Sequence, residues 1–217
     1  MERVISLMKT DLRLCLRSLL AHPFIVLAAA GAWGWQALEI ADPALGFITT
    51  IVGWVFTAAF FGLAGARIVH GERITWKTLL MSIRQLTVGT VFITMVYTLP
   101  LLLVIPVVDW LVGGSLRGNP LVVIVGFAPT VVPSLAATWS LAARRTRLNT
   151  ALADGLSLLK GKWGPALLTG VVYQSLAYGM QMLREWLLTV SVFPLVLEEI
   201  VWIGFQGIFR LWVLFWL

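Results

Sequence analysis

Apolar residues in this chain form six long stretches, separated by short polar segments. The stretches cover residues 23–40, 44–66, 86–108, 120–143, 165–183 and 194–217. The hydrocarbon core of a bilayer is about 30 Å thick, and roughly 20 helical residues cross it. The pattern therefore predicts an all-α, polytopic membrane protein with about six transmembrane helices.

Lys and Arg concentrate in every second segment between these stretches. They precede the first stretch and follow the second and the fourth: Arg3, Lys9, Arg13, Arg17, Arg67, Arg73, Lys77, Arg84, Arg144, Arg145, Arg147, Lys160 and Lys162. Short loops rich in Lys and Arg stay in the cytoplasm. The charge pattern therefore predicts a multi-pass protein of the inner (cytoplasmic) cell membrane, with both termini in the cytoplasm.

Composition supports the same class of protein. Of 217 residues, 59% are hydrophobic and only 12% are charged, against roughly 25% charged in soluble proteins. The net charge of +6 could indicate nucleic-acid binding. Because most cations flank membrane stretches, topology and contact with anionic lipid headgroups explain them better, and we expect no nucleic-acid partner.

A segment of a different kind precedes each pair of stretches. Residues 2–20 place an apolar side chain at every fourth position, as an amphipathic helix at the inner membrane interface does; segments 76–87 and 150–162 have the same character. An interfacial helix followed by a hairpin would occur three times, which suggests tandem repeats over 1–71, 72–146 and 147–217. The alternative is that any six-span protein shows basic inner loops.

The inventory of reactive groups argues against catalysis. His22, His70 and Cys15 do not form a recognisable metal spacing, and the chain has no glycine-rich phosphate loop or nucleophile elbow. We therefore expect a non-enzymatic protein without cofactor or metal.

One charged group of residues lies within the last stretch. Glu199, Gln206 and Arg210 fall on one helical face. Charge in lipid is costly, so this face is expected to point into the bundle or into water, with Gln174 and Gln181 as candidate partners. Its functional interpretation is a polar pathway or an anionic-lipid site. The alternative places Glu198 and Glu199 at the outer interface, with Arg210 extending to the inner one.

Prolines and small residues mark two further features. The prolines of stretches three and four either kink their helices or free carbonyl groups that line a site: Pro100, Pro106, Pro129 and Pro133. Small residues at four-residue spacing predict close helix packing, within one chain or between copies: Ala58, Gly62 and Ala66, and Ser175 with Gly179.

The segment TALADGLSLLKGKWG at 150–164, followed by an apolar stretch, resembles the YciC-like proteins and the membrane domain of some glycerophosphodiester phosphodiesterases. Their pattern is A-L-x-x-S-x-x-L-x-K-G, here carried by Ala151, Leu152, Ser157, Leu159 or Lys160, and Gly161. The serine is displaced, and Asp154 interrupts the usual apolar or basic run. The resemblance implies a prokaryotic polytopic protein with a lipid or envelope connection, and carries over no catalytic residue.

These observations favour an envelope-associated module that binds lipid or a partner, or an accessory subunit of a membrane complex. The alternative is a transporter of a small solute or lipid. Its expected partners are anionic lipids, with a second copy or another membrane protein as further candidates. The candidate headgroup-binding residues are Arg13, Arg17, Arg73, Lys77, Arg144, Arg145, Arg147, Lys160 and Lys162.

Overall fold

The computed structural model describes residues 13–17, 22–33, 46–112, 114, 119–157, 160–187 and 192–216. Over this part of the chain the fold is helical and contains no strand, which confirms the all-α class. Residues 13–17 are helical, and the further helices are α1 Pro23–Trp33, α2 Gly46–Ala64 with a π-helical continuation Gly65–Val69, α3 Trp76–Leu111, α4 Pro120–Ala143, α5 Leu148–Ser157, α6 Trp163–Leu187 and α7 Val192–Trp216.

Within the described ranges, three helical segments are long and apolar enough to cross a membrane, fewer than the six stretches predicted. They are Ile48–Val69, Trp76–Leu111 and Pro120–Ala143. Helix α1 has only 11 described residues. Helices α6 and α7 have 25 residues each, and α7 contains three charged residues, Glu198, Glu199 and Arg210.

The segment 76–87 is not a separate interfacial helix, contrary to the prediction. It forms the first three turns of α3, which runs without a break through Pro100 and Pro106 to Leu111. The hydroxyl of Thr75 caps the start of α3 by accepting from the Thr78 N–H, at 3.2 Å, as N-cap residues do. With 36 residues, α3 is about 54 Å long, so it exceeds the hydrocarbon thickness.

Helix α4 is the centre of the bundle. It packs against α3, α5 and α6 and also contacts α2 and α7. Its Trp139 is fully buried beside Phe60 and Phe61 of α2. Helix α6 comes so close to α4 that a Cβ on Gly170 would lie 2.0 Å from the carbonyl oxygen of Ala128.

The two predicted small-residue ridges have different surroundings. Ala58, Gly62 and Ala66 are buried, and a Cβ on Gly62 would meet Ser82 of α3 at 2.4 Å. This ridge packs within the chain. Ser175 and Gly179 on α6 are exposed, and nothing lies within 4 Å of a Cβ built on Gly179.

Helix α5 packs lengthwise against α4, whereas the sequence predicted 150–162 as an amphipathic helix at the inner membrane interface. Asp154 accepts a hydrogen bond from Ser140, three residues before the end of α4. Gly155 meets α4 farther from that end, since its Cβ would lie 2.5 Å from the carbonyl oxygen of Pro133. The helix therefore runs antiparallel to α4, toward the middle of the bundle.

The remaining predictions about the fold lie partly outside the described residues. In the amphipathic segment 2–20, only 13–17 are described, with Cys15 buried between the exposed Arg13 and Arg17. The threefold repeat over 1–71, 72–146 and 147–217 stays a prediction.

Candidate functional sites

Two contacts bring the cationic segments to one end of the bundle. Arg67 donates to the ring of His22 at 2.9 Å, which joins the start of α1 to the π-helical turn. The ring of His70 contacts the carbonyl oxygen of Ala143, the last residue of α4, at 2.6 Å. We call this part of the molecule the basic end.

Charge at the basic end is strongly one-sided. Segments 70–87 and 143–163 together contain eight Lys and Arg side chains but only two carboxylates, Glu72 and Asp154. Arg145 pairs with Glu72, and Arg144 lies 3.8 Å from Asp154. The excess of cations gives this end a positive field, which attracts anionic groups.

A cleft of about 540 Å³ opens at the basic end between α2, α3 and the end of α4. Its polar wall carries the cations of Lys77 and Arg145, together with hydroxyl groups and Glu72. We call this the basic cleft; the rest of its wall consists of Gly62, Ala66, Thr78, Met81, Ser82, Gln85, Leu86, Leu141, Ala142 and Thr146. A surface with cations at one side and apolar side chains at the other suits an amphipathic molecule such as a lipid.

Only two of the predicted headgroup residues line this cleft. They are Lys77 and Arg145, while Arg73, Arg144 and Arg147 are exposed nearby at the basic end. Arg13 and Arg17 are exposed, but no described contact links them to the cleft. Of the predicted cations, the structure thus brings Lys77 and Arg145 to one surface, and headgroup binding by the whole set stays a prediction.

Lys160 and Lys162 lie deeper along the bundle than their sequence position suggests. Both are exposed in the turn before α6, and Ala166 one turn later packs against Val132 of α4. Val132 lies 11 residues before the end of α4, and Lys162 lies four residues before Ala166. Because α6 runs antiparallel to α4, Lys162 is roughly 10 Å from that end. Its flexible side chain is long enough to extend toward the basic end.

The loop after α4 is held by polar contacts that the sequence did not reveal. The Ser140 hydroxyl donates to Asp154 and contacts the Thr146 hydroxyl at 3.0 Å. Arg145 has a positive φ of 53°, an unusual conformation for a residue with a side chain. Asp154, which interrupts the resemblance motif, therefore fastens α5 to α4 and positions the loop that presents Arg145.

The His22–Arg67 contact requires a neutral imidazole. The Arg67 Nε–H donates to Nε2 of His22, which can accept only when that nitrogen is unprotonated. Partial burial, and next the nearby Arg67 charge, hold the pKa of His22 below its ordinary value of 6.5.

The predicted polar face of α7 is divided in two. Gln206 is buried and accepts hydrogen bonds from Tyr173 at 2.8 Å and from Arg210 at 3.4 Å. The Arg210 guanidinium also lies 5.9 Å from the ring centre of Phe61. Glu199 is buried as well, with 8% exposure, but it lies about 16 Å from Arg210 along α7. The arginine therefore points into the bundle, and the glutamate belongs to another layer.

A second cavity, of about 370 Å³, lies beside Arg210 between the helices of the bundle. Nine of its 18 lining residues carry a hydroxyl group. We call this the hydroxyl cavity, and its polar wall consists of Thr50, Thr57, Thr90, Thr94, Thr98, Thr130, Ser134, Thr138, Tyr173, Gln174 and Arg210. The cavity lies near the middle of the bundle along its length. The midpoints of the three membrane-length helices are close to three residues of its wall, Thr57, Thr94 and Val131.

Only part of this cavity could be predicted from the sequence. Of the two predicted partners of the α7 face, Gln174 lines the cavity and Gln181 is exposed. The described α6 partner of Gln206 is Tyr173. The threonines were missed. Their only signal is the four-residue spacing of Thr90, Thr94 and Thr98, which places three hydroxyl groups on one face of α3.

Comparisons with family models, with characterised proteins and with solved structures show no match to this chain.

Proposed function

We propose that this chain is a non-enzymatic integral membrane protein that binds anionic lipid headgroups in the basic cleft. The observation that carries the proposal is the composition of that cleft. Lys77 and Arg145 provide its cations, while Met81, Leu86 and Leu141 provide apolar contact. A phosphate group on the cations and acyl chains along the apolar wall would satisfy both surfaces at once.

The proposal includes six transmembrane helices, with the basic end in the cytoplasm. The three membrane-length apolar helices would be joined by the stretches beginning at residues 23, 165 and 194. The polar groups of α7 are compatible with a span because Gln206 and Arg210 face other protein groups instead of lipid. Anionic lipids of the cytoplasmic leaflet would then meet the basic end, in line with the positive-inside rule.

The exposed surface of α3 supports the membrane setting and leaves room for a partner. Large apolar side chains along its length are exposed, among them Phe92, Met95, Leu99 and Leu103. In a bilayer this surface contacts acyl chains, a second copy or another membrane protein. The resemblance to the YciC-like group, with its lipid or envelope connection, agrees with this role.

Lipid titration followed by native mass spectrometry tests the proposal. The full chain, stripped of lipid in neutral detergent, is titrated with phosphatidylglycerol and with phosphatidylcholine. At about 1 kcal/mol per cation near the headgroup, Lys77→Gln and Arg145→Gln are each expected to weaken phosphatidylglycerol binding about fivefold. Arg84→Gln removes an exposed cation of the same helix that does not line the cleft, and should leave binding unchanged. Equal binding of the two lipids, or an equal loss in Arg84→Gln, would contradict the proposal.

A second candidate is transport of a small solute or lipid, and the hydroxyl cavity favours it. Transporters place polar sites near the bilayer midplane, between helices. Thr94→Cys on a Cys15→Ser background places a thiol in the cavity wall. Modification of this thiol by a membrane-impermeant reagent from either side of the membrane would support transport, and modification from one side only would argue for a static binding site.

A further inference from the structure

The hydroxyl cavity combines a single cation with many oxygen atoms. Among its described lining residues, Arg210 contributes the positive charge and no residue carries a carboxylate. The charge of the described wall is therefore positive, and electrostatic attraction between helices that pack around a site is stronger than in bulk water. Such a site favours an anion.

The hydroxyl groups of the wall can adapt to an anion at little cost. Thr57, Thr98 and Thr138 each donate to a carbonyl oxygen four residues earlier in the same helix, at 2.7–2.8 Å. A helical carbonyl at this position also receives a backbone N–H, so a hydroxyl that turns toward a ligand leaves no orphaned acceptor. In their present orientation, the same oxygen atoms can accept hydrogen bonds from ligand hydroxyls.

Thr90 provides independent evidence for a ligand. Its side chain is only 2% exposed, and its hydroxyl has no hydrogen-bond partner among the residues that the structure describes, although it lines the cavity. A buried hydroxyl without a partner destabilises the fold, because it has lost its hydrogen bonds to water. The defect would be removed by a polar molecule in the cavity.

The size of the cavity limits the class of ligand. Its volume of about 370 Å³ is far more than one inorganic ion needs and lies in the range of small-molecule sites, about 300–1,000 Å³. A ligand that matches the wall carries an anionic group for Arg210 and several hydroxyl groups for the threonines. Arginine binds phosphate through two parallel hydrogen bonds, which adds geometric selectivity.

We infer that the hydroxyl cavity is a binding site for a phosphorylated polyol of the size of glycerol phosphate. The phosphate lies against Arg210 and Tyr173, and the polyol hydroxyls contact Thr90 and the neighbouring threonines of α3 and α4. The same chemistry occurs in a soluble phosphopolyol and in the headgroup of phosphatidylglycerol. This site is separate from the basic cleft, so either proposal can fail while the other stands.

Binding measurements on the full chain in neutral detergent test the inference. Glycerol 3-phosphate is titrated by calorimetry, and phosphatidylglycerol by native mass spectrometry. Arg210→Gln, which removes the charge-assisted contacts, is expected to weaken binding at least tenfold. Thr90→Val keeps the shape of the side chain and is expected to weaken binding about threefold to tenfold.

Matched variants separate this site from general effects. Thr87→Val removes a hydroxyl of the same helix that donates to Ile83 and does not line the cavity, and it should bind as the unmodified chain does. A soluble ligand is indicated if glycerol 3-phosphate binds and depends on Arg210. A lipid ligand is indicated if only phosphatidylglycerol binds and the binding falls in Arg210→Gln and Thr90→Val but not in Lys77→Gln. The inference is overturned if Thr90→Val weakens the binding of neither glycerol 3-phosphate nor phosphatidylglycerol. The same result decides the case if Arg210→Gln does not fold.

Discussion

Trp139 donates its indole N–H to the backbone carbonyl oxygen of Arg210, at 2.7 Å. The contact joins α4, the central helix, to α7, and it fixes the backbone from which Arg210 extends toward the hydroxyl cavity. Trp139 also packs against Phe61, whose ring lies beside the arginine guanidinium. The indole of Trp139 thus holds both the backbone of Arg210 and the Phe61 ring beside its guanidinium.

Trp139→Phe is expected to destabilise the protein by about 2–3 kcal/mol, because it removes this hydrogen bond and leaves a void in a fully buried site. Thermal unfolding in detergent measures the change, with helix content followed by far-ultraviolet circular dichroism. Trp163→Phe is the matched control, since Trp163 is 58% exposed, and it should stay within about 0.5 kcal/mol. Equal effects of the two substitutions would show that the Trp139 contact contributes nothing specific.

The glycines of α6 provide a second prediction. A Cβ on Gly170 would lie 2.0 Å from a backbone oxygen of α4, whereas one on Gly179 would meet nothing within 4 Å. Gly170→Ala should therefore push α6 away from α4 and destabilise the bundle by about 2 kcal/mol or more. Gly179→Ala should raise stability by up to about 1 kcal/mol, the difference in helix propensity. If Gly170→Ala is as stable as Gly179→Ala, the α4–α6 packing described here is wrong.

The His22–Arg67 contact predicts a dependence of stability on pH. The pKa of His22 is about 6.5 in the unfolded chain and lower in the folded chain. At a pH between the folded and the unfolded pKa, the unfolded chain therefore binds more protons than the folded one. Stability from this group is therefore complete above pH 6.5 and is lost as the pH falls through the lower, folded pKa. Melting temperatures compared at pH 7.5 and pH 5 should fall less in His22→Gln than in the unmodified chain.

The control for this titration is His70→Gln, which removes the other histidine at the same end of the bundle. It should retain the pH dependence that His22→Gln reduces. The assignment to His22 fails if the two variants respond to pH in the same way.

Parts of the fold that depend on local pattern could be predicted from sequence. Helix α4 has the predicted bounds, because Pro120 suits a first helical turn and the Asn119 side chain caps it by accepting from the Leu121 N–H. The clustering of cations at one end also follows from their alternation along the chain. For the bounds of α4, the deciding interaction lies within a few residues of the signal.

Other features depend on how helices cross, and sequence pattern does not contain that information. Segments 76–87 and 150–162 have similar amphipathic patterns. The first forms the start of α3, whereas the helix of the second turns back along α4, where Asp154 accepts a hydrogen bond from Ser140. Threonines such as Thr90 and Thr130 are ordinary residues in an apolar helix. They form a cavity only because α3 and α4 place them opposite each other.

In the proposed orientation, the basic end faces the cytoplasmic leaflet and the opposite end of α4 faces away from it. Single cysteines at Arg73, Arg147 and Asn119, on a Cys15→Ser background, test this claim with a membrane-impermeant thiol reagent applied to intact cells and to inside-out vesicles. We expect cysteines at 73 and 147 to react only in inside-out vesicles and a cysteine at 119 to react only in intact cells. Reaction of position 119 from the same side as positions 73 and 147 would contradict the account.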